Sequence, residues 1–137
     1  MSPALALAIA GALLVLTALL GILLRRREGR RLDPGALRVR PSDIEAAELG
    51  ERATLVQFST EFCARCPQVR RMLHGYAADV AGLRHVEVDL THRPDLSSRY
   101  RVLQTPTTFL VDGAGRVRAR FHGVPQQDAL TEALAAV

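Results

Sequence analysis

Two cysteines, Cys63 and Cys66, are the only thiols in the 137-residue sequence, and they stand together as Cys63-Ala64-Arg65-Cys66. Two thiols at this spacing suit either half of a tetrahedral zinc site or a dithiol that cycles with a disulfide. Zinc would need two further ligands. The other candidates, His74, His85, His92 and His122, form no second paired motif, so no metal is expected. Two inert buried cysteines are a further reading, but packing explains poorly a pair placed at the mouth of a helix.

The elements around the pair give that placement its chemistry. The short apolar run Ala53 to Phe58 reads as a buried strand. From Cys63 onward, Val69, Met72, Leu73, Tyr76 and Val80 recur at helical spacing until Gly82 ends the pattern. Unpaired amides and the positive end of the dipole at a helix start stabilise a thiolate, which makes Cys63 the expected nucleophile. Cys66, one turn in, is expected to be more buried and to attack the mixed disulfide from within. Arg65 places a positive charge between them and favours the thiolate further.

The remaining pattern completes an α/β chain. Leu32 to Arg40 contains the turn Asp33-Pro34-Gly35, followed by a short strand through Leu37 and Val39. Ser42 after Pro41, with Glu45 three residues on, predicts a capped helix that Gly50 closes. Leu83 to Leu90 alternates as a strand, with Val86, Val88 and Leu90 on one side, and Pro94 to Tyr100 reads as a short helix with Asp95 in its first turn. Thr107 to Val111 and Val117 to Phe121 form a hairpin across Asp112-Gly113-Ala114-Gly115, and Pro125 to Ala136 is an amphipathic helix with Leu130 and Leu134 one turn apart. The order β-α-β-α-β-β-α indicates a mixed sheet with helices on both faces.

With these residues in place, roughly residues 36–137 resemble the thioredoxin family. The resemblance rests on the strand Thr54-Leu55-Val56-Gln57-Phe58, the segment Glu61-Phe62-Cys63-Ala64-Arg65-Cys66, and Thr105-Pro106-Thr107, in that order. It implies a three-layer mixed sheet with flanking helices and no cofactor. It also implies a cis peptide before Pro106, with the backbone of Thr105 facing an extended peptide substrate. Gly123 matches a family glycine lining the same surface. Five positions depart from the family pattern. Phe62 stands where a tryptophan is usual, Ala64-Arg65 replaces Gly-Pro, and Pro67 follows the second cysteine, where its missing amide hydrogen costs little. Gln57 occupies the place of a buried aspartate that, in the family, takes the proton of the second thiol. Glutamine cannot accept that proton; Glu61 is a candidate substitute, or an exposed loop residue.

The first thirty residues carry a separate signal. Ala4 to Leu24 are 21 residues without charge or proline, with Thr17 the one polar side chain. As a helix they reach roughly 31 Å, enough to cross a hydrocarbon layer of about 30 Å. A cleaved signal peptide would need positive charge before the run and a small-residue cleavage site after it; five arginines between Arg25 and Arg31 follow it instead. Residues 1–31 are therefore expected to be a single membrane anchor meeting lipid through residues 4–24, and 32–137 a thioredoxin-like domain. By the positive-inside bias that domain is cytoplasmic. Ala4, Ala8 and Ala12 share one helix face, which suits helix packing or simply an alanine-rich span.

Charge argues against a nucleic-acid partner. All 18 basic residues are arginine, against 14 acids, but the anchor flank holds five arginines and one acid. The remainder is balanced and has few aromatics, unlike a phosphate-binding surface. The expected function is a membrane-tethered oxidoreductase, acting as a reductase, that exchanges disulfides with a protein partner at the membrane. The alternative is a non-enzymatic thioredoxin-fold assembly subunit or redox sensor. The sequence names neither the client nor the electron donor.

Overall fold

Ala53 to Ser59 form a strand in which every residue is buried, so both its faces must be covered. The computed structural model, which describes residues 2–32, 34–46 and 48–137, shows how. Strands β1 (Arg31–Leu32), β2 (Ala53–Ser59), β3 (Leu83–Asp89), β4 (Thr107–Asp112) and β5 (Val117–His122) form one sheet in the order β1-β5-β4-β2-β3. β2 runs parallel to β3 and antiparallel to β4, with Gln57 opposite Glu87 on one side and Thr108 on the other. Helices α1 (Pro3–Arg27), α2 (Cys66–Ala78), α3 (Pro94–Arg99) and α4 (Gln127–Ala135) complete the chain.

The strand alternation sorts the core into two layers. Ala53 and Leu55 pack with Val69 and Leu73 of α2, Phe121 of β5 and Leu130 and Leu134 of α4. Val56 and Phe58 face the other way, onto Phe109, Leu96, Tyr100 and Ile44. Phe58 meets Phe109 edge-on with ring centroids 4.9 Å apart, the arrangement that aromatic quadrupoles favour. This is a thioredoxin-like mixed sheet with flanking helices, preceded by a long apolar helix. α1 has no buried residue among those described, so Ala4, Ala8 and Ala12 stay exposed.

Three expectations change. The helix foreseen between Ser42 and Gly50 is only a 3₁₀ turn, Pro41–Asp43, and Glu45 adopts φ +52°, so the capping box does not form. Tertiary contacts outweigh the local signal: Asp43 accepts from Arg99 Nη1 at 2.8 Å and from the Tyr100 hydroxyl, and Ile44 is buried beside them. α2 begins at Cys66 rather than Cys63, because the preceding residues close two tight turns first. The strand foreseen at Leu37 and Val39 is reduced to a bridge between Arg38 and Arg116. Asp33, in the foreseen turn, and Ala47, in the foreseen helix, lie outside the described residues.

β1 is an addition. Arg31 and Leu32 pair with Phe121 and Arg120, so the chain leaving α1 is taken straight into the sheet edge. Two residues are too few for a strand alternation to show in sequence.

Candidate functional site

The cysteine pair sits where β2 hands over to α2. Cys63 N donates to Thr60 O at 3.2 Å and Cys66 N to Cys63 O at 3.4 Å, so the connection coils tightly before Arg65 O accepts the first helical bond from Val69. Pro67 falls in the first turn, where its missing N–H leaves no helical bond unmade. Cys63 and Cys66 are joined as a disulfide. Cys63 is half-buried and Cys66 is 1% exposed, so only the first sulfur offers itself to a partner.

Two further loops converge on the pair. The Thr105–Pro106 peptide is cis, as the family resemblance implied, with Thr105 half-buried and Pro106 buried. Thr60 and Thr105 bring their hydroxyls to 3.5 Å, which ties the cysteine loop to the proline loop. Gly123 N donates to Pro106 O at 2.9 Å, drawing the end of β5 to the same place. Gly123 has φ +70°, and the Glu28 side chain occupies the space a Cβ would need. A larger residue would therefore be strained and would displace Glu28.

Two exposed apolar side chains flank these loops. Beyond α1, the exposed large hydrophobic residues among those described are Leu32, Phe62 at 87% and Leu103 at 94%. Phe62 flanks Cys63, and Leu103 leads into Thr105-Pro106. Between Leu103 and Thr60 a shallow groove also takes in Gln104 and Thr105.

The tuning residues separate. Gln57 is fully buried beneath the pair and donates from Nε2 to Cys66 O at 3.0 Å. Glu61 is exposed, and its amide rather than its carboxylate is engaged, donating to Thr91 Oγ1 at 3.0 Å. It does not lie beneath the sulfurs. Arg65 is exposed and forms an ion pair with Glu28, so its charge is shared with the segment leaving α1.

Sequence reasoning missed Glu28 and His85. Gly29 N donates to His122 O at 2.8 Å, Gln126 N to Gly29 O at 3.0 Å, and Gln126 Nε2 to Glu28 O at 3.0 Å. These bonds hold Glu28 over Gly123 and against Arg65. No local motif marks such a residue, since its partners lie 37 and more positions away. His85 meets Gln57 Oε1 through Nε2 at 3.0 Å; the alternation of β3 placed it opposite Val86 but could not say against what. Burial lowers the His85 imidazole, Glu87 pulls it back up, and His74 and Arg70 push it down again, so the ring stays below its ordinary value.

Comparison with known proteins agrees with this arrangement. The thioredoxin family model matches residues 42–136. No curated protein matches in sequence. Among solved structures, mitochondrial thioredoxin 3 of Saccharomyces cerevisiae is 20% identical with a TM-score of 0.54, over 64% of this chain and 80% of that one. Thioredoxin of Fasciola hepatica is 18% identical with a TM-score of 0.52, over 88% of this chain and 92% of that one. A malarial protein is 18% identical with a TM-score of 0.51, over 62% and 96%. At these identities the structures bear on fold alone. The fold and the cysteine pair together support thiol–disulfide oxidoreductase chemistry. With 95 consecutive residues matched by its model, this chain belongs to the thioredoxin family.

Proposed function

We propose that the protein is a membrane-tethered thiol–disulfide oxidoreductase that reduces disulfides presented by a protein partner at the membrane surface. The observation that carries this reading is the asymmetry of the pair. Cys63 is reachable, Cys66 is buried directly behind it, and the cis Thr105–Pro106 loop and exposed Phe62 and Leu103 surround the opening.

In the reduced enzyme the Cys63 thiolate attacks a client disulfide, forming a mixed disulfide and expelling one client thiolate. An extended client strand pairs with the backbone of Thr105 while its apolar neighbours rest on Phe62 and Leu103. Cys66 then attacks Cys63 Sγ, breaking the mixed disulfide and releasing the second client thiol. The client gains two electrons and the pair becomes the Cys63–Cys66 disulfide, which a dithiol donor must reduce for the next cycle.

Two features support tethering. α1 is long and apolar enough to span a bilayer, and Arg25, Arg26 and Arg27 in its last turn suit the phosphate level of a cytoplasmic leaflet. Glu28 follows α1 directly and contacts Arg65 within the cysteine loop. Headgroup layers are about 5–7 Å deep on each side. A site connected this closely favours clients whose cysteines lie at the membrane surface.

The test is labelling with a membrane-impermeant maleimide after mild reduction, in intact and permeabilised cells, with a Cys63→Ser/Cys66→Ser control. Labelling only after permeabilisation is expected; labelling of intact cells would reverse the orientation. In parallel, the full chain in detergent should reduce a protein disulfide repeatedly with an added dithiol. A second reading, a redox-sensing assembly subunit, is favoured by one observation, the uncharged Gln57 beneath Cys66. Absence of turnover would favour that reading instead.

A further inference from the structure

The junction with α1 and the cysteine pair share one end of the sheet. β2 and β5 end there, at Ser59 and His122, and β4 begins there, at Thr107. Arg31 opens β1 opposite Phe121, one residue before β5 ends, and Gly29 N donates to His122 O at 2.8 Å. α1 has no buried residue among those described, so it extends away from the domain instead of lying along it. Of the two ends of the sheet, the cysteine end is thus the one next to a bilayer crossed by α1.

The exposed large apolar side chains of the domain gather at this same end. Among the described residues outside α1 they are Leu32, Phe62 and Leu103. Contacts run from each to the next. Leu32 pairs in register with Arg120, whose Nη1 donates at 3.0 Å to Arg101 O, two residues before Leu103. Leu103 stands two residues from Thr105, whose hydroxyl lies 3.5 Å from that of Thr60, two residues before Phe62. Arg65 closes the arc through its ion pair with Glu28, the first residue beyond α1. At no more than about 3.6 Å per residue, Phe62 Cα is within roughly 11 Å of Arg65 Cα, and Leu103 Cα within roughly 7 Å of Thr105 Cα.

The charges along the arc suit an anionic surface. Arg30, Arg31 and Arg101 are exposed and pair with no carboxylate among the described contacts, and they outnumber Glu61, the exposed acid beside Phe62. Apolar tips ringed by guanidinium groups seat a protein face at the headgroup and acyl boundary, the tips in the acyl edge and the arginines on phosphates. A soluble protein could also cover such side chains, but it would give no reason for them to collect where α1 leaves the domain.

We propose that Phe62 and Leu103, continued by Leu32, are a lipid-facing surface seated in the interfacial layer of the bilayer that α1 crosses, so that the Cys63 opening faces that layer. The inference rests on the tethering reading and deepens it. The client class it assigns is membrane proteins whose cysteines lie at interfacial depth.

The chain has no tryptophan, so Phe62→Trp and Leu103→Trp each give the full chain a single indole fluorophore. At 87% and 94% exposure, neither substitution disturbs the core. Each variant is measured in nanodiscs of phosphatidylcholine and phosphatidylglycerol with bromine on the acyl chains near the glycerol, relative to the same variant in unbrominated lipid. Leu20→Trp reports the span, and Ala114→Trp, exposed in the turn between β4 and β5 at the opposite end of the sheet, reports bulk solvent. Brominated lipid should quench Leu20→Trp, and should quench both Phe62→Trp and Leu103→Trp at least about twofold more strongly than Ala114→Trp. If Leu20→Trp is quenched but either site variant is quenched no more than Ala114→Trp, the inference is overturned and tethering stands, with the exposed side chains left to a soluble protein. An unquenched Leu20→Trp would overturn the tethering reading, and the inference with it.

Discussion

Gln57 is the residue at which this chain departs furthest from a simple proton-accepting site. Its side chain is fully buried and spends its donor on the Cys66 carbonyl. A carboxylate in its place would sit in a low-dielectric environment that raises its pKa toward neutrality, the range in which an acid–base group works best. Gln57→Asp should therefore quicken dithiol-driven disulfide reduction near pH 7 by about threefold or more. An unchanged rate in the full chain would show that proton removal from Cys66 does not limit exchange. Arg65 illustrates the opposite case. Read in sequence, its charge belongs to the cysteines on either side, but in the fold it is paired with Glu28.

Among the elements, the turn at Pro41–Asp43 shows how one buried carboxylate can replace a helix. Burial pulls the Asp43 carboxyl upward, but the Tyr100 hydroxyl, the Arg99 guanidinium and the charge of Arg40 outweigh that and hold it below its ordinary 3.8. Its folded pKa is lower than its unfolded one, so the stability it contributes is present above about pH 4 and is lost as pH falls through the folded value. Urea midpoints of the wild type should fall over that acid range. Asp43→Asn should be less stable at pH 7 and show a shallower acid decline, and parallel curves would assign the decline to other carboxylates. Tyr100 also accepts from Arg40 N at 3.2 Å, so the same cluster secures the chain entering the domain.

For the molecule as a whole, the decisive connection is the short one between α1 and the sheet. Arg27 ends the helix and Arg31 begins β1, with Glu28 and Gly29 pinned between them by Gln126 and His122. Such a junction has little freedom to swing the cysteine loop away from the end of α1. Inserting about 15 Gly/Ser residues between Arg27 and Glu28 would leave Glu28 on Arg65 and add roughly 20 Å of flexible reach. Reduction of a soluble disulfide should be unchanged. Reduction of a disulfide displayed at the lipid surface of the same nanodisc should fall about tenfold, because the effective concentration of the site there drops. Equal rates on both substrates before and after insertion would show that the junction has no part in client choice.

Local pattern alone determined much of this protein. The 21 uncharged residues within α1, the alternation of β3, the short runs of β4 and β5, the spacing of Val69 and Leu73 and the position of Cys63 and Cys66 between strand and helix are all signals of periodicity or punctuation, carried by residues close in sequence. The cysteine pair was legible for the same reason, since both sulfurs and the start of α2 lie within one short segment. Tertiary structure alone decided which side chains surround that segment. Glu28 reaches Arg65 across 37 positions, His85 reaches Gln57 across 28, and Asp43 gives up a capped helix for Arg99 and Tyr100, more than 50 positions on. Each is a polar residue whose partner is chosen by sheet order and helix placement. Polar side chains leave no periodic trace, and their pairing is settled only when the strands take their places beside one another.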